Sequence, residues 1–434
     1  MLFIIVILQA IIYAVTCIFL KDKIQKISLL ICNIAFFLYS CVGIASYQLA
    51  EEYYTCYMEC AFTFNIFFII GDIICCWLAR PIVVNGVTYG SQSDYILTNF
   101  SIYLKFITLI YFAARILWLI YPEFYLKYMF AAPNFIYRNA LDAATQSVAN
   151  PVGKLLSTLT TITLPFALIY IRRTGKKMNI IYFFLFDLYA QYLIGRASIG
   201  RLAIIRAILI TCFVFYLIEP NKKKRVKYIT FSAIAILFSF IIYMVMENWR
   251  NGNNIGIFDV GLGEAITHFI DSELYYPSHY PLANALHSSA VYPALTFWAW
   301  LFTMPIPKLI FNVAIVDPYA SVIYRVFTYY YWGGHWGNEH GYAGMLLSVM
   351  GDGILVYGVN FAFILVIPFA FFIGFFLQYL LKIKYSEIMY CSTLFFFFVS
   401  FRPGVQYALQ NVNTFVGMIM IIIFFRFLIK SERC

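Results

Sequence analysis

Apolar residues run through this chain in long unbroken blocks rather than in alternation. The blocks at Leu2–Leu20, Ile27–Tyr47, Tyr57–Leu78, Ile102–Ile120, Leu155–Ile171, Met178–Ile194, Leu202–Ile218, Tyr228–Met246, Ile354–Leu380, Ile388–Phe401 and Thr414–Leu428 are each predicted to be a bilayer-crossing helix. A span needs roughly 20 apolar residues. The expected fold is therefore all-α, a polytopic transmembrane helical bundle of about eleven spans. An outer-membrane barrel is excluded, because its strands alternate apolar and polar positions. Leu2–Leu20 is long enough to stay as a helix, so no cleavable signal is needed.

The chain reads as a single integral membrane domain over residues 1–434 with two longer insertions. A large loop, 247–353, lies between spans eight and nine, and a smaller one covers 121–154. Within the large loop, Gly341–Met350 reads as a short helix lying across the mouth of span nine. No half of the chain repeats the other, which counts against a transporter built from two related halves.

Composition sharpens the class. Of 434 residues, 63% are hydrophobic and only 12% charged. That leaves too little polar surface to coat a soluble globule and too much apolar content for a disordered chain. The ten cysteines mostly sit inside apolar blocks, which argues against a disulfide framework or a zinc site.

Charge sets the topology. Eighteen of the 30 basic residues fall in short segments on one side, among them Lys21–Lys26, Arg172–Lys177 and Glu219–Lys227. That side is expected to be the cytoplasm, with the N-terminus outside and the C-terminus inside. The net charge of +10 is then largely a topology signal, and no nucleic-acid partner is inferred from it.

Arginines on the expected outer side run against this rule. Arg196 and Arg201 lie in the turn GRASIGR, Arg402 in FRPG and Arg138 in NFIYRNALD. Arg206, inside span seven, and Arg115, inside span four, can snorkel to the same depth. Guanidinium binds phosphate oxygens two at a time, so the set points to a lipid-linked phosphate or diphosphate. The alternative is pairing with Glu51, Glu52, Glu59, Asp142 or headgroups. Asp187, inside span six, is expected to form a structural ion pair with Arg206.

All five histidines lie in the large loop, and His335 and His340 flank glycines and aromatics in WGGHWGNEHG. Imidazole or carboxylate there, from His335, Glu339 or His340, suits a general base; an ordered polar loop with a stacked histidine is the competing reading. The spacing does not match a zinc-peptidase motif. Asp352, in MGDGILVYG, stands at the expected mouth of span nine between glycines that permit close backbone approach. Trp298 and Trp300 belong to a stretch expected to lie in the interface. The tyrosines and tryptophans around Tyr275–Tyr280 and Tyr329–Trp336 offer faces for sugar stacking, or form an ordinary interface belt. No Walker motif, GxGxxG or DxD is present, so any chemistry must use a donor that is already activated and already outside.

Four of these features occur in an order that resembles the bacterial O-antigen and capsule repeat-unit polymerases (Wzy type). They are YRNALDAATQSVANPVGKLLSTL, LIGRASIGRLAIIRAILI, GYAGMLLSVMGDGILVYGVNF and VSFRPGVQYALQNVN, covering roughly Arg138 to the C-terminus. The resemblance implies a metal-independent, cofactor-free glycosyltransferase of the lipid-phosphosugar-dependent (GT-C-like) architecture in the bacterial inner membrane. It implies undecaprenyl-diphosphate-linked oligosaccharide as donor and acceptor, membrane lipid around the bundle, and a chain-length regulator protein as partner. By position it assigns Arg196 and Arg402, then Arg138, to the diphosphate; Arg201 and Arg206, singled out by their charge alone, are further candidates. Catalytic candidates are Glu339, His340, His335 and Asp352. An O-antigen ligase, transferring polymer to lipid A core, shares donor and architecture. A lipid-linked oligosaccharide flippase is the reading from another class.

Overall fold

The computed structural model describes residues 2–42, 51–78, 83–84, 87–88, 101–121, 123–131, 151–173, 176–195, 197, 222–250, 253, 255–270, 294, 298, 348–382, 387–402, 404–405 and single positions between 417 and 424. These residues are overwhelmingly helical. The strands among the described residues form one short hairpin, β1 (Val83–Val84) against β2 (Val87–Thr88), in a segment expected to be a plain loop.

The chain divides into two compact units. The first comprises Met1–Ile82, Ile270–Ile383 and Thr393–Asn413. Its helices are α1 (Leu2–Phe19), α2 (Lys23–Phe36, running on as a π-helix over Phe37–Val42) and α3 (Glu51–Leu78). The second comprises Val83–Phe269, Lys384–Ser392 and Thr414–Cys434. It contains α4 (Ser101–Ile120), α5 (Pro151–Arg173), α6 (Lys177–Ile194), α7 (Lys222–Arg250) and α8 (Leu262–Phe269). The first unit continues with α9 (Val349–Tyr357), α10 (Phe363–Lys382) and the latter part of α11 (Glu387–Ser400).

Five described helices are long and apolar enough to cross a membrane: Lys23–Val42, Tyr53–Leu78, Ile102–Ile120, Leu155–Arg172 and Val359–Lys382. They match predicted spans two, three, four, five and nine. Phe3–Phe19 and Leu237–Asn248 are shorter apolar helices on predicted spans one and eight. Leu202–Ile218 lies outside the described residues.

Apolar side chains give little drive to helix association when the surroundings are also apolar, so close packing and internal hydrogen bonds take over. The first unit shows both. Where α3 crosses α10, a Cβ on Gly71 would overlap the backbone of Phe371, and one on Gly374 the backbone of Phe68. Buried Gln9, Asn33 and Asn65 join α1, α2 and α3: Asn65 Nδ2 donates to Asn33 Oδ1 at 2.9 Å, Gln9 Nε2 to the Asn33 carbonyl at 3.1 Å, and Tyr57 to Gln9 Oε1. Each amide thereby meets a partner inside the protein.

One expected span is broken in the structure. Ile354–Leu380 is not one continuous span. The α9 helix stops at Gly358, whose φ of +79° suits glycine and whose N–H bonds the Ile354 carbonyl at 2.8 Å. A 3-10 turn, Val359–Phe361, then leads into α10. The reversal lays Ala362 against Gly353, where no side chain would fit. Of the short helix expected over Gly341–Met350, residues 341–347 lie outside the described residues; Ser348 is extended and caps α9, its Oγ accepting from Gly351 N at 3.1 Å.

Gly71→Ala and Gly374→Ala are each expected to destabilise the detergent-solubilised protein by about 1–3 kcal/mol. Gly263→Ala, where nothing lies within 4 Å of an added Cβ, should be neutral. Thermal unfolding of the three variants checks this.

Candidate functional site

In the first unit, two sequence-predicted residues converge. The α9 helix begins at the Ser348 cap, which places Asp352 in its first turn with no exposed surface. Fifty residues on, the FRPG turn closes α11. Val349 N donates to the Phe401 carbonyl at 3.2 Å, and Val405 N donates to Asp352 Oδ2 at 2.7 Å. Gly404 bridges these contacts at φ +84°, and a Cβ there would collide with the Asp352 carboxylate. Both geometric demands call for glycine.

Arg402 is thus held from both sides. Its own N–H bonds the Val399 carbonyl at 3.2 Å, continuing the helical turn. Before it, Phe401 is buried against Phe369, Phe64 and Phe36, with ring centroids 5.0, 5.5 and 5.9 Å away. After it, Gly404 and Val405 are fixed on Asp352. The side chain of Arg402 is half-buried. Trp298, from the large loop, donates its indole N–H to Tyr357 at the other end of α9.

In the second unit, the turn that opens GRASIGR is described up to Gly195 and again at Ala197. Gly195 N bonds the Gln191 carbonyl at 2.8 Å and Ala197 N the Tyr192 carbonyl at 3.0 Å. Ala197 is buried and has φ +62°, a conformation that costs a residue with a Cβ about 1–2 kcal/mol. Such strain is held only where surrounding contacts fix it. Here Tyr189 donates to the Met129 carbonyl at 3.0 Å, Tyr192 to the Ala131 carbonyl, and Leu119, Tyr125, Ala190 and Leu193 form a buried cluster.

Below that turn lies a buried ion pair that the sequence did not predict. Asp187 pairs with Arg115 of α4. Tyr111 donates to Asp187 Oδ1 at 2.6 Å and Gln191 to Oδ2 at 2.6 Å. Arg115 also lies 5.6 Å from the centre of Trp118 and 5.9 Å from that of Tyr111. Asp187 was expected to pair with Arg206, which lies outside the described residues. Arg115 was expected to snorkel outward, yet it is buried and held by Asp187. A charge this deep is stabilised by its counter-ion more than by reaching the interface. Tyr111, four residues before Arg115, and Gln191, four after Asp187, share their helix faces; that spacing was the legible signal.

Arg138, Arg196, Arg201, Arg206, His335, Glu339 and His340 lie outside the described residues. His268 faces Glu247 at 3.4 Å. Near the start of the 121–154 loop, the hydrogen bond from Lys127 to Glu123, 2.9 Å long, holds the lysine ammonium above its ordinary pKa range. No group of three His, Cys, Asp or Glu that could hold a metal occurs among the described residues. Comparison with family models, with curated proteins and with solved structures gave no match.

Removing either partner of the Arg115–Asp187 pair should cost about 3–5 kcal/mol, because it strands a buried charge. The double variant Arg115→Met/Asp187→Leu should regain most of that. Thermal unfolding of membrane-inserted protein measures both. A proton-relay role would instead leave the double variant folded and inactive.

Asp352→Ala should leave the Val405 N–H unmatched, at about 1–3 kcal/mol. Proteolysis within 401–405 should speed up, whereas Asp352→Asn, which keeps an acceptor oxygen, should fall between this variant and the parent.

Proposed function

We propose that the chain is a repeat-unit polymerase that joins oligosaccharides carried on undecaprenyl diphosphate at the outer face of the bacterial inner membrane. The observation that supports this reading best is the direct packing of two of its motifs. The acidic-Gly entry carrying Asp352 and the FRPG turn carrying Arg402 meet through Val405 N and Asp352 Oδ2 at 2.7 Å. Packing of this kind fixes the position of a guanidinium more firmly than a surface loop does, and fixed donors stabilise developing charge without reorganising.

In this reading a hydroxyl oxygen of the acceptor sugar attacks the anomeric carbon of the donor. The anomeric C–O bond to phosphate breaks, undecaprenyl diphosphate leaves, and the hydroxyl proton passes to a base. Arg402 and Arg196 are each assigned to lipid-linked diphosphate, with Arg138, Arg201 and Arg206 as further contacts. His335, Glu339 and His340 are the candidates for the base. Asp352 is a positioning residue, because it is fully buried and already engaged with the turn it orients. Eleven spans and an outside N-terminus complete the reading.

Arg402→Lys and Arg196→Lys test it. A lysine lacks the bidentate fork. Losing about 3 kcal/mol of transition-state stabilisation slows a reaction on the order of a hundredfold. Complemented deletion strains should make mostly single repeat units per unit of inserted protein. Near-normal polysaccharide ladders from both variants would remove these arginines from the diphosphate. Long polymer left on its carrier in the deletion strain would mark a ligase instead.

A further inference from the structure

The second unit carries an element that a plain external loop does not account for. The α7 helix is 29 residues long. Just past its end the chain reverses: Asn253 N donates to the Asn248 carbonyl at 2.9 Å. Gly256 N then bonds Asp259 Oδ2 at 2.9 Å, closing a second tight turn, and α8 follows.

The returning segment packs back along α7. Val260 and Ala265 are buried against Met244 and Val245. The Phe269 ring lies 4.9 Å from Phe240 and 5.3 Å from Tyr243. His268 Nε2 sits 3.4 Å from Glu247 Oε2. Glu247 directly follows the apolar block Tyr228–Met246, so it marks where that block meets polar surroundings. Residues that pack on 240–245 lie on the apolar side of that mark. Phe240 is ten residues before Arg250, about 15 Å back along the helix axis.

The outer surface of this segment is apolar as well. Phe258 is 100% exposed, and Ile257 and Leu262 are exposed beside it. Leu237, one heptad before Met244 and so on the same face of α7, is exposed as well. Asp259, Glu264 and Thr267 are also exposed. Apolar and polar side chains together suit an interface better than a hydrocarbon core.

We infer that residues 255–269 form an interfacial anchor seated in the lipid leaflet at the Arg250 end of α7, with bilayer lipid as the partner of Phe258, Ile257 and Leu262. The apolar surface continues that of the apolar stretch Leu237–Asn248 of α7, which as predicted span eight would face lipid. The inference holds whether or not the chain is a polymerase.

Full-length protein in phosphatidylglycerol/phosphatidylcholine nanodiscs tests it. Phe258→Cys and Leu262→Cys each receive a nitroxide label, with labelled parent protein subtracted as background. Collision with oxygen should exceed collision with an aqueous nickel chelate at both sites. Lys223→Cys, at the charged end of α7, should show the reverse. Nickel access at Phe258 and Leu262 equal to that at Lys223 would overturn the anchor. Shielding from both quenchers would also overturn it, since a protein partner would then cover the patch.

Discussion

A carboxylate with no exposed surface must find its hydrogen bonds inside the protein, and at Asp352 the backbone N–H of Val405, 53 residues away, provides one. That contact ties the first turn of α9 to the FRPG turn, and much of the first unit follows from it. Gly404 has to be glycine so that the backbone can reach the carboxylate. Phe401 is drawn into the ring cluster with Phe64 and Phe369, and Arg402 is left between two fixed neighbours. In water such a bond would be worth little, because both groups would be solvated equally well elsewhere. In a buried setting the unmade bond is the expensive state.

The second unit solves the same problem with a full ion pair. Asp187 receives Arg115, Tyr111 and Gln191, and these contacts lock α4 to α6 just before the chain enters the strained turn at Ala197. The two units therefore share a design rule. Each buries an acid whose partners come from a distant helix or turn, and each has beside that acid a turn in which the sequence places an arginine. Charges inside a membrane are costly enough that such pairings are among the strongest constraints on helix arrangement.

Helix positions were largely legible in the sequence, because long apolar blocks leave the backbone few alternatives in lipid. The break at Gly358 was not. Its flanks, Leu355, Val356, Val359 and Phe361, are as apolar as a continuous span, and hydropathy is blind to a positive φ. The identity of the Asp187 partner was also hidden. Arg115 lay at a depth from which snorkelling outward was equally open to it, and only packing shows it paired with Asp187. Arg402 was visible as a basic residue on the wrong side, and Asp352 as an acid between glycines at the mouth of span nine. Their meeting was not, since it runs through the backbone N–H of Val405, which carries no residue-specific signal. Ser348 was missed for a related reason: its cap starts a helix inside an apolar, glycine-rich run, where no change of pattern marks the beginning.

The most direct test of the central claim is reconstitution. Purified protein in liposomes, supplied with undecaprenyl-diphosphate-linked repeat units in the presence of a metal chelator, should release undecaprenyl diphosphate. Products should lengthen in steps of one repeat unit. Translocation of the intact lipid-linked unit without a new glycosidic bond, or no change in the substrate, would contradict the account.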